Sequence, residues 1–144
     1  MPHSYAQNTI HLIFSTKNRR KAIAQEMQHR LWPYISAICQ ENKIFVHAVG
    51  GMDDHCHVLF QLPPTMSLAE VILLIKVNSS KWMGKKFAWQ KGYGAFSVSA
   101  SNISAVVRYI KSQERHHRKM SFEQEFIAFL EKHGVEYDSQ YVFG

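Results

Sequence analysis

The 144-residue sequence predicts an α+β fold: an antiparallel sheet with helices on one face, in the ferredoxin-like split βαβ order, plus a C-terminal helix that carries a tyrosine. Three observations predict it. Short segments with strand-like alternation interleave with longer segments of helical apolar spacing, in the order β-α-β-β-α-β and then two further helices. Two capping boxes, Ser67-Leu68-Ala69-Glu70 and Ser121-Phe122-Glu123-Gln124, mark helix starts. No repeat, low-complexity tract or linker interrupts the chain, so residues 1–144 read as one domain, long enough to bury a core.

Each element has its own signal. Thr9 to Thr16 alternates Ile10, Leu12 and Phe14 against His11, Ile13 and Ser15, which is a strand. Lys17 to Lys21 is a basic turn. From about Ala24 to Glu41, Met27, Leu31, Ile35 and Ile38 recur at helical spacing. Ile44 to Val49 is a second strand, and Gly50-Gly51 turns the chain. The third strand, His55 to Leu62, ends at Pro63-Pro64. The box at Ser67 opens a helix to about Lys86, with Val71, Ile72, Ile75, Ser79 and Trp82 facing inward. Ala95 to Ser99 is a short fourth strand. Asn102 or Ser101 can cap the next helix, whose stripe is Ile103, Val106, Val107 and Ile110. The box at Ser121 opens the last helix, with Phe126, Phe129 and Leu130 inward, and Gly134 stops it.

Composition narrows the class. A hydrophobic fraction of 46% excludes a disordered chain, and no apolar run approaches the ~20 residues of a membrane span. The start, Met1-Pro2-His3-Ser4-Tyr5-Ala6-Gln7, lacks the basic and apolar regions of a signal peptide. Cys39 and Cys56 fall at positions that read as core. They form no disulfide framework and suit a reducing, cytoplasmic setting. The net charge is +6 and is unevenly spread. Val71 to Gln113 contains no Asp or Glu but holds Lys76, Lys81, Lys85, Lys86, Lys91, Arg108 and Lys111. A one-signed stretch of this kind attracts a polyanion. Ser121 to Gly144 is instead rich in acid, with Lys132 its one lysine.

Two segments carry chemistry. In Asp53-Asp54-His55-Cys56-His57-Val58-Leu59-Phe60, His55 and His57 project from one face of a strand, while Cys56, Val58 and Phe60 point to the core. That is how a sheet presents a two-histidine metal site, although such a pair also fits a solvated strand face. In Val106-Val107-Arg108-Tyr109-Ile110-Lys111-Ser112-Gln113-Glu114-Arg115-His116-His117, Tyr109 and Gln113 are neighbours on one helical face, with His116 and His117 a turn further on. A phenol, an amide and two imidazoles on a cationic helix suggest nucleophile, ligand and phosphate contacts. A helical tyrosine on its own fits packing equally well.

Together the segments resemble the single-tyrosine HUH transposases of small insertion sequences and their REP-associated relatives. His55-Cys56-His57 stands as the His-hydrophobic-His strand and Tyr109 to Gln113 as Tyr-x-x-x-Gln. Phe87 to Ser99 resembles the family stretch before the tyrosine helix, and Ser15-Thr16-Lys17-Asn18-Arg19-Arg20 the segment after the first strand. The likeness runs from about Ile10 to Lys119. Cys56 fills the apolar middle position, and Ser112 stands where relatives often carry asparagine.

The resemblance implies a single HUH transposase domain that cuts and rejoins single-stranded DNA at hairpin-bearing ends, with Tyr109 as nucleophile and His55, His57 and Gln113 as metal ligands. Two imidazoles and an amide oxygen leave open positions, which fits Mg²⁺ or Mn²⁺. Arg108 and Lys111 would favour phenolate. Lys17, Arg19, Arg20, Lys81 and Lys85, with Arg108 and Lys111, are the expected DNA contacts. Trp82, Trp89, Tyr93 and Phe96 are aromatic candidates for base stacking that also fit core packing, His47 reads as structural, and His116 and His117 are candidates for phosphate or the metal shell. One nucleophile holds one DNA end at a time, so moving a segment argues for a homodimer. The resemblance implies sites shared between the subunits. The histidine face of the sheet is expected to be open, with the trailing Tyr109 helix coming to it from its own subunit or from a partner. The other readings are an HUH nickase, a domesticated hairpin-specific endonuclease, and a non-catalytic nucleic-acid-binding module with stacking aromatics on that face.

Overall fold

The computed structural model describes residues 4–117 and 119–143, residue 116 by its backbone alone. The N-terminal residues 1–3 and the expected role of the His116 side chain therefore lie outside the described residues. Four strands form one sheet in the order β2-β3-β1-β4. They are β1 (Thr9–Ser15), β2 (Val46–Gly51), β3 (His55–Gln61) and β4 (Gly94–Val98). β1 pairs antiparallel with β3 and with β4, and β2 pairs antiparallel with β3. With α1 (Gln25–Glu41) and α2 (Leu68–Met83) as crossovers, this is the expected split βαβ fold. Among the described residues no helix is long and apolar enough to cross a membrane.

Strand alternation divides the sheet into two faces. Leu12 and Phe14 of β1 join Cys56, Val58 and Phe60 of β3 in a core with Leu31, Ile35 and Cys39 of α1 and Val71, Ile72 and Ile75 of α2. Each such Val, Leu, Ile or Phe side chain contributes about 1.5–3 kcal/mol by leaving water, so this layer carries much of the fold's stability. Trp89 also belongs here: its ring meets Phe14 and Phe87 edge-on, and its Nε1 donates to Ser79 Oγ. Trp82 is half-buried, stacked on Tyr34 at 4.7 Å with Arg30 over it. Both capping boxes form as expected, with Glu70 N donating to Ser67 Oγ and Gln124 N to Ser121 Oγ. α2 ends earlier than its apolar spacing suggests, because Gly84 leaves the helix at φ 115°.

The other face of the sheet receives the Tyr109 helix, as expected, but it is not otherwise open, because the last helix covers it too. α3 (Ile103–Lys111) and α5 (Phe122–Lys132) lie across it. Ile110 packs with Ala48, Leu59 and Val98, while Phe122, Phe126 and Leu130 pack with Ile13 and Phe96. Phe96 is thus core, whereas Tyr93 is 44% exposed. Two glycines set how closely the helices approach. A Cβ on Gly50 would lie 2.8 Å from the Ile110 carbonyl oxygen, and one on Gly94 would lie 2.7 Å from Phe126 Cε1. The tyrosine helix is also not continuous. It stops at Ser112 (φ −105°, ψ 23°), and a short α4 (Gln113–His116) follows. Asn102 precedes α3 without a side-chain capping bond.

Candidate metal and nucleophile site

The site is built between β3 and the helices that cover it. His55 and His57 point to the covered face, as alternation requires, and both are fully buried. Antiparallel pairing sets Ser15 against His55 and Ile13 against His57, which brings His11 diagonally next to His57. His11 Nε2 lies 2.8 Å from His57 Nδ1. On the other histidine, the Asp54 carboxylate accepts from His55 Nδ1 at 2.7 Å.

The break at Ser112 turns Gln113 and His117 inward. Gln113 Oε1 lies 3.0 Å from both His55 Nε2 and His117 Nε2. His117 Nδ1 donates to the Met120 carbonyl at 2.6 Å. From α5, Glu125 reaches the same point. Its Oε1 lies 3.0 Å from His57 Nε2 and 3.4 Å from His55 Nε2, and its Oε2 lies 3.3 Å from His117 Nε2. Tyr109 completes the group: its hydroxyl donates to Glu125, and its ring meets His57 edge-on at 5.8 Å. One chain therefore assembles Tyr109, Gln113, His55 and His57, the residues that the sequence singled out.

Sequence reasoning missed Glu125, Asp54 and the part played by His11, and left His117 without a settled role. Glu125 sits on the inward stripe of α5, three residues after Phe122 and four before Phe129. A charge on an otherwise apolar stripe is the signal that could have found it.

Electrostatics follow from burial and from Glu125. Burial holds His11 well below the usual imidazole value and also lowers His57, despite the opposing pull of Glu125. Neutral imidazole is the form that binds metal. Burial alone would raise Glu125, but hydrogen bonds from His117 and His57 outweigh it and keep the carboxylate ionised. Burial would lower His117, and the contacts with Glu125 reverse that. Tyr109 is pushed well above the ordinary phenol value, first by burial and then by the charge of Glu125. The expectation that Arg108 and Lys111 favour phenolate is thus corrected. Both cations are solvent-exposed, and the group against the phenol is an anion.

The donor set fits a divalent metal. His55, His57, His117 and Glu125 offer ligand atoms that all lie within 4.8 Å of one another. The phenol is reached from outside through a hollow of about 410 Å³ lined by His11, Asn102, Tyr109, Met120, Phe129 and Lys132, among others.

Of the expected DNA contacts, Lys17, Arg20, Lys81, Lys85, Arg108 and Lys111 are exposed. Lys17 and Arg20 line a hollow of about 270 Å³ with Lys86. Its wall residue Thr16 donates its backbone N–H to the Asp54 carbonyl, so the hollow lies one residue from His55. Arg19 is turned toward the C-terminal segment: it donates to the Phe143 carbonyl, lies over the Phe143 ring and faces Glu123 at 3.7 Å. His47 bonds Gln61 at 2.8 Å, in keeping with a structural role.

A split βαβ sheet with a paired-histidine strand beneath a tyrosine helix is the arrangement that the resemblance to single-tyrosine HUH transposases leads one to expect. The family profile described as "Transposase IS200 like" matches residues 4–113, and the chain belongs to that family. It is 25% identical over 114 residues to the transposase for insertion sequence element IS200 of Salmonella typhimurium, covering 72% of this chain and 74% of that protein. It is 24% identical to the ISDra2 transposase of Deinococcus radiodurans, over 72% of this chain and 81% of that protein. A solved REP-associated tyrosine transposase bound to a REP hairpin shares the fold at a TM-score of 0.63 and 18% identity, covering 81% of this chain and 73% of that one. The chain is a transposase of that family, which makes it a DNA-cleaving enzyme.

Proposed function

We propose that this transposase cuts and rejoins single-stranded DNA at hairpin-bearing ends through a 5′-phosphotyrosine on Tyr109. The observation that carries the reading is that the Tyr109 hydroxyl bonds Glu125, the carboxylate that stands against His55 and His57, with Gln113 on His55 in the same site. The Tyr109 oxygen attacks a backbone phosphorus, and the bond from phosphorus to the 3′ oxygen breaks. The leaving oxygen takes a proton and departs as a 3′-OH. Glu125, which accepts from the phenol, is the nearest acceptor for the phenolic proton. One phosphodiester is exchanged for another ester, so no nucleotide cofactor is consumed. Attack by a 3′-OH on the phosphotyrosine reverses the bond changes and joins strands.

Gln113 and the two histidines would hold the divalent ion, Mg²⁺ or Mn²⁺, whose part is to polarise and orient the scissile phosphate. Asp54 and His11 fix the ring orientations of His55 and His57. The chain's own contribution to DNA binding is the exposed basic set, above all Lys17 and Arg20 beside Lys86. The hairpin-bound relative of the same fold supports a hairpin as the feature recognised.

The reading extends to a homodimer with shared sites, because one tyrosine holds one strand end. In a single chain the Tyr109 helix already lies over its own histidines. Exchange of that helix between two subunits would build two equivalent sites from the same contacts.

The deciding experiment uses labelled single strands carrying a hairpin, with Mg²⁺ or Mn²⁺ and then with EDTA. Cleavage with a covalent protein–DNA adduct is expected in metal alone. Equal cleavage in EDTA would remove the metal's role.

A further inference from the structure

We infer that the metal centre of this chain is a site of three imidazoles and one carboxylate, formed by His55, His57, His117 and Glu125, and that it selects a first-row transition ion over Mg²⁺. The inference rests on the reading of the site as a metal centre and adds two ligands to it. Both lie beyond residues 4–113, the segment that the family profile covers.

The first argument is spacing. Two donors that each sit ~2.1 Å from one ion, at 90–110°, are ~3.0–3.5 Å apart. Glu125 stands 3.0 Å from His57 Nε2, 3.4 Å from His55 Nε2 and 3.3 Å from His117 Nε2. These Glu125 separations match ligands around a shared ion, and the four donor atoms together lie within 4.8 Å of one another.

The second argument is the direction of the lone pairs. Asp54 accepts from His55 Nδ1 and the Met120 carbonyl accepts from His117 Nδ1, so both rings carry hydrogen on Nδ1. His57 Nδ1 is engaged by His11. In their neutral forms His55 and His117 then carry the Nε2 lone pair on the side of the carboxylate, where an ion can take the place of the proton that otherwise bonds Glu125. Outer partners that fix Nδ1 while Nε2 points to a common centre are the usual support of histidine ligands.

The third argument is donor chemistry. Mg²⁺ prefers oxygen donors and keeps its waters, whereas imidazole suits later divalent ions. Three imidazoles with a single carboxylate are a poor Mg²⁺ site and a good one for Mn²⁺, Co²⁺ or Zn²⁺. Gln113 Oε1, 3.0 Å from His55 Nε2 and His117 Nε2, is a fifth donor within reach.

The test is calorimetric titration of the EDTA-stripped full chain with Mn²⁺, Zn²⁺ and Mg²⁺ in separate runs, without DNA. One equivalent of Mn²⁺ or Zn²⁺ should bind at least 100-fold more tightly than Mg²⁺. His117→Ala and Glu125→Gln should each weaken Mn²⁺ binding by at least 10-fold, with Glu125→Asp restoring part of it. Pulsed electron paramagnetic resonance of the Mn²⁺-loaded parent, labelled with ¹⁵N-histidine, should count three coordinated imidazoles, a readout that depends on no variant's folding. A count of two, or His117→Ala and Glu125→Gln proteins that bind Mn²⁺ like the parent while His55→Ala does not, would overturn the inference and leave the His55, His57 and Gln113 reading standing. No binding of any divalent ion would overturn both. Equal affinity for Mg²⁺ and Mn²⁺ would overturn the selectivity.

Discussion

The Tyr109 hydroxyl donates its hydrogen bond to Glu125, so the expected nucleophile of α3 is held by a carboxylate from α5. The carboxylate does not depend on the phenol, because His55, His57 and His117 also surround it. Tyr109→Phe should therefore leave the fold nearly intact, at a cost of about 1 kcal/mol for the missing hydrogen bond. Cleavage and the covalent protein–DNA adduct should vanish on a denaturing gel. An adduct that persists would assign the chemistry to another tyrosine, such as Tyr93 or Tyr137.

Replacing both His55 and His57 with alanine removes two buried donors from the site but leaves the exposed cations untouched. Cutting should be abolished while hairpin affinity, read by filter binding, stays within about threefold of the parent. A parallel loss of affinity would show that the histidine face itself binds DNA.

Lys17 and Arg20 share one hollow with Lys86. The double variant Lys17→Ala, Arg20→Ala should weaken hairpin binding and lower the slope of log K against log salt by about 0.7 for each single-strand phosphate that is no longer neutralised. An unchanged slope would place the backbone contacts elsewhere, with Lys81 and Lys85 next to be tested.

Mixing tests the shared arrangement. A His55→Ala, His57→Ala subunit combined with a Tyr109→Phe subunit should regain part of the parental cleavage, because each heterodimer would hold one intact set of parts. A dead mixture, with heterodimers verified by native mass spectrometry, would assign each site to a single chain, as the geometry of one chain allows. A chain that stays monomeric at working concentration would end the dimer reading.

Both thiols are buried, and burial pushes Cys39 from its ordinary value of 9.0 to about 11 and Cys56 upward as well. The native protein should resist alkylation at pH 8 and react at both thiols once denatured. The sign for stability follows. Between pH 9 and 11 the unfolded chain loses the Cys39 proton while the folded chain keeps it, so stability should fall as pH rises through that window. Chemical denaturation at pH 8 and pH 10 measures it.

The fold was largely legible because its signals are local. Alternation in β1 and β3 sorted Leu12, Phe14, Cys56, Val58 and Phe60 from His11, Ile13, His55 and His57, and both helices opened by capping boxes formed. His55, His57, Gln113 and Tyr109 were legible as residues. Their mutual geometry was not, because it depends on where helices from the end of the chain come to rest. That the Tyr109 helix comes to the histidine face was legible; that α5 joins it and buries the face was not, since helix order does not say which face the last helix will take. Glu125 escaped because the acid-rich C-terminal segment reads as solvated, whereas burial places this one carboxylate, 1% exposed, among three imidazoles. The break at Ser112 has no strong local sign, since serine neither fixes nor frees the backbone as proline or glycine would.

The two close approaches at Gly50 and Gly94 fix the height of the site above the sheet. A helix seated on intervening side chains can settle by rotamer changes, and its position drifts as those side chains are replaced. Here a carbonyl of α3 rests against the bare α-carbon of Gly50, so that gap is closed by main chain, while α5 sets the ring of Phe126 against Gly94. The distance between the phenol and the histidines is therefore insulated from substitutions over most of the helix surfaces. It is exposed at Gly50 and Gly94, where a single added methyl group would press on a helix and disturb the site.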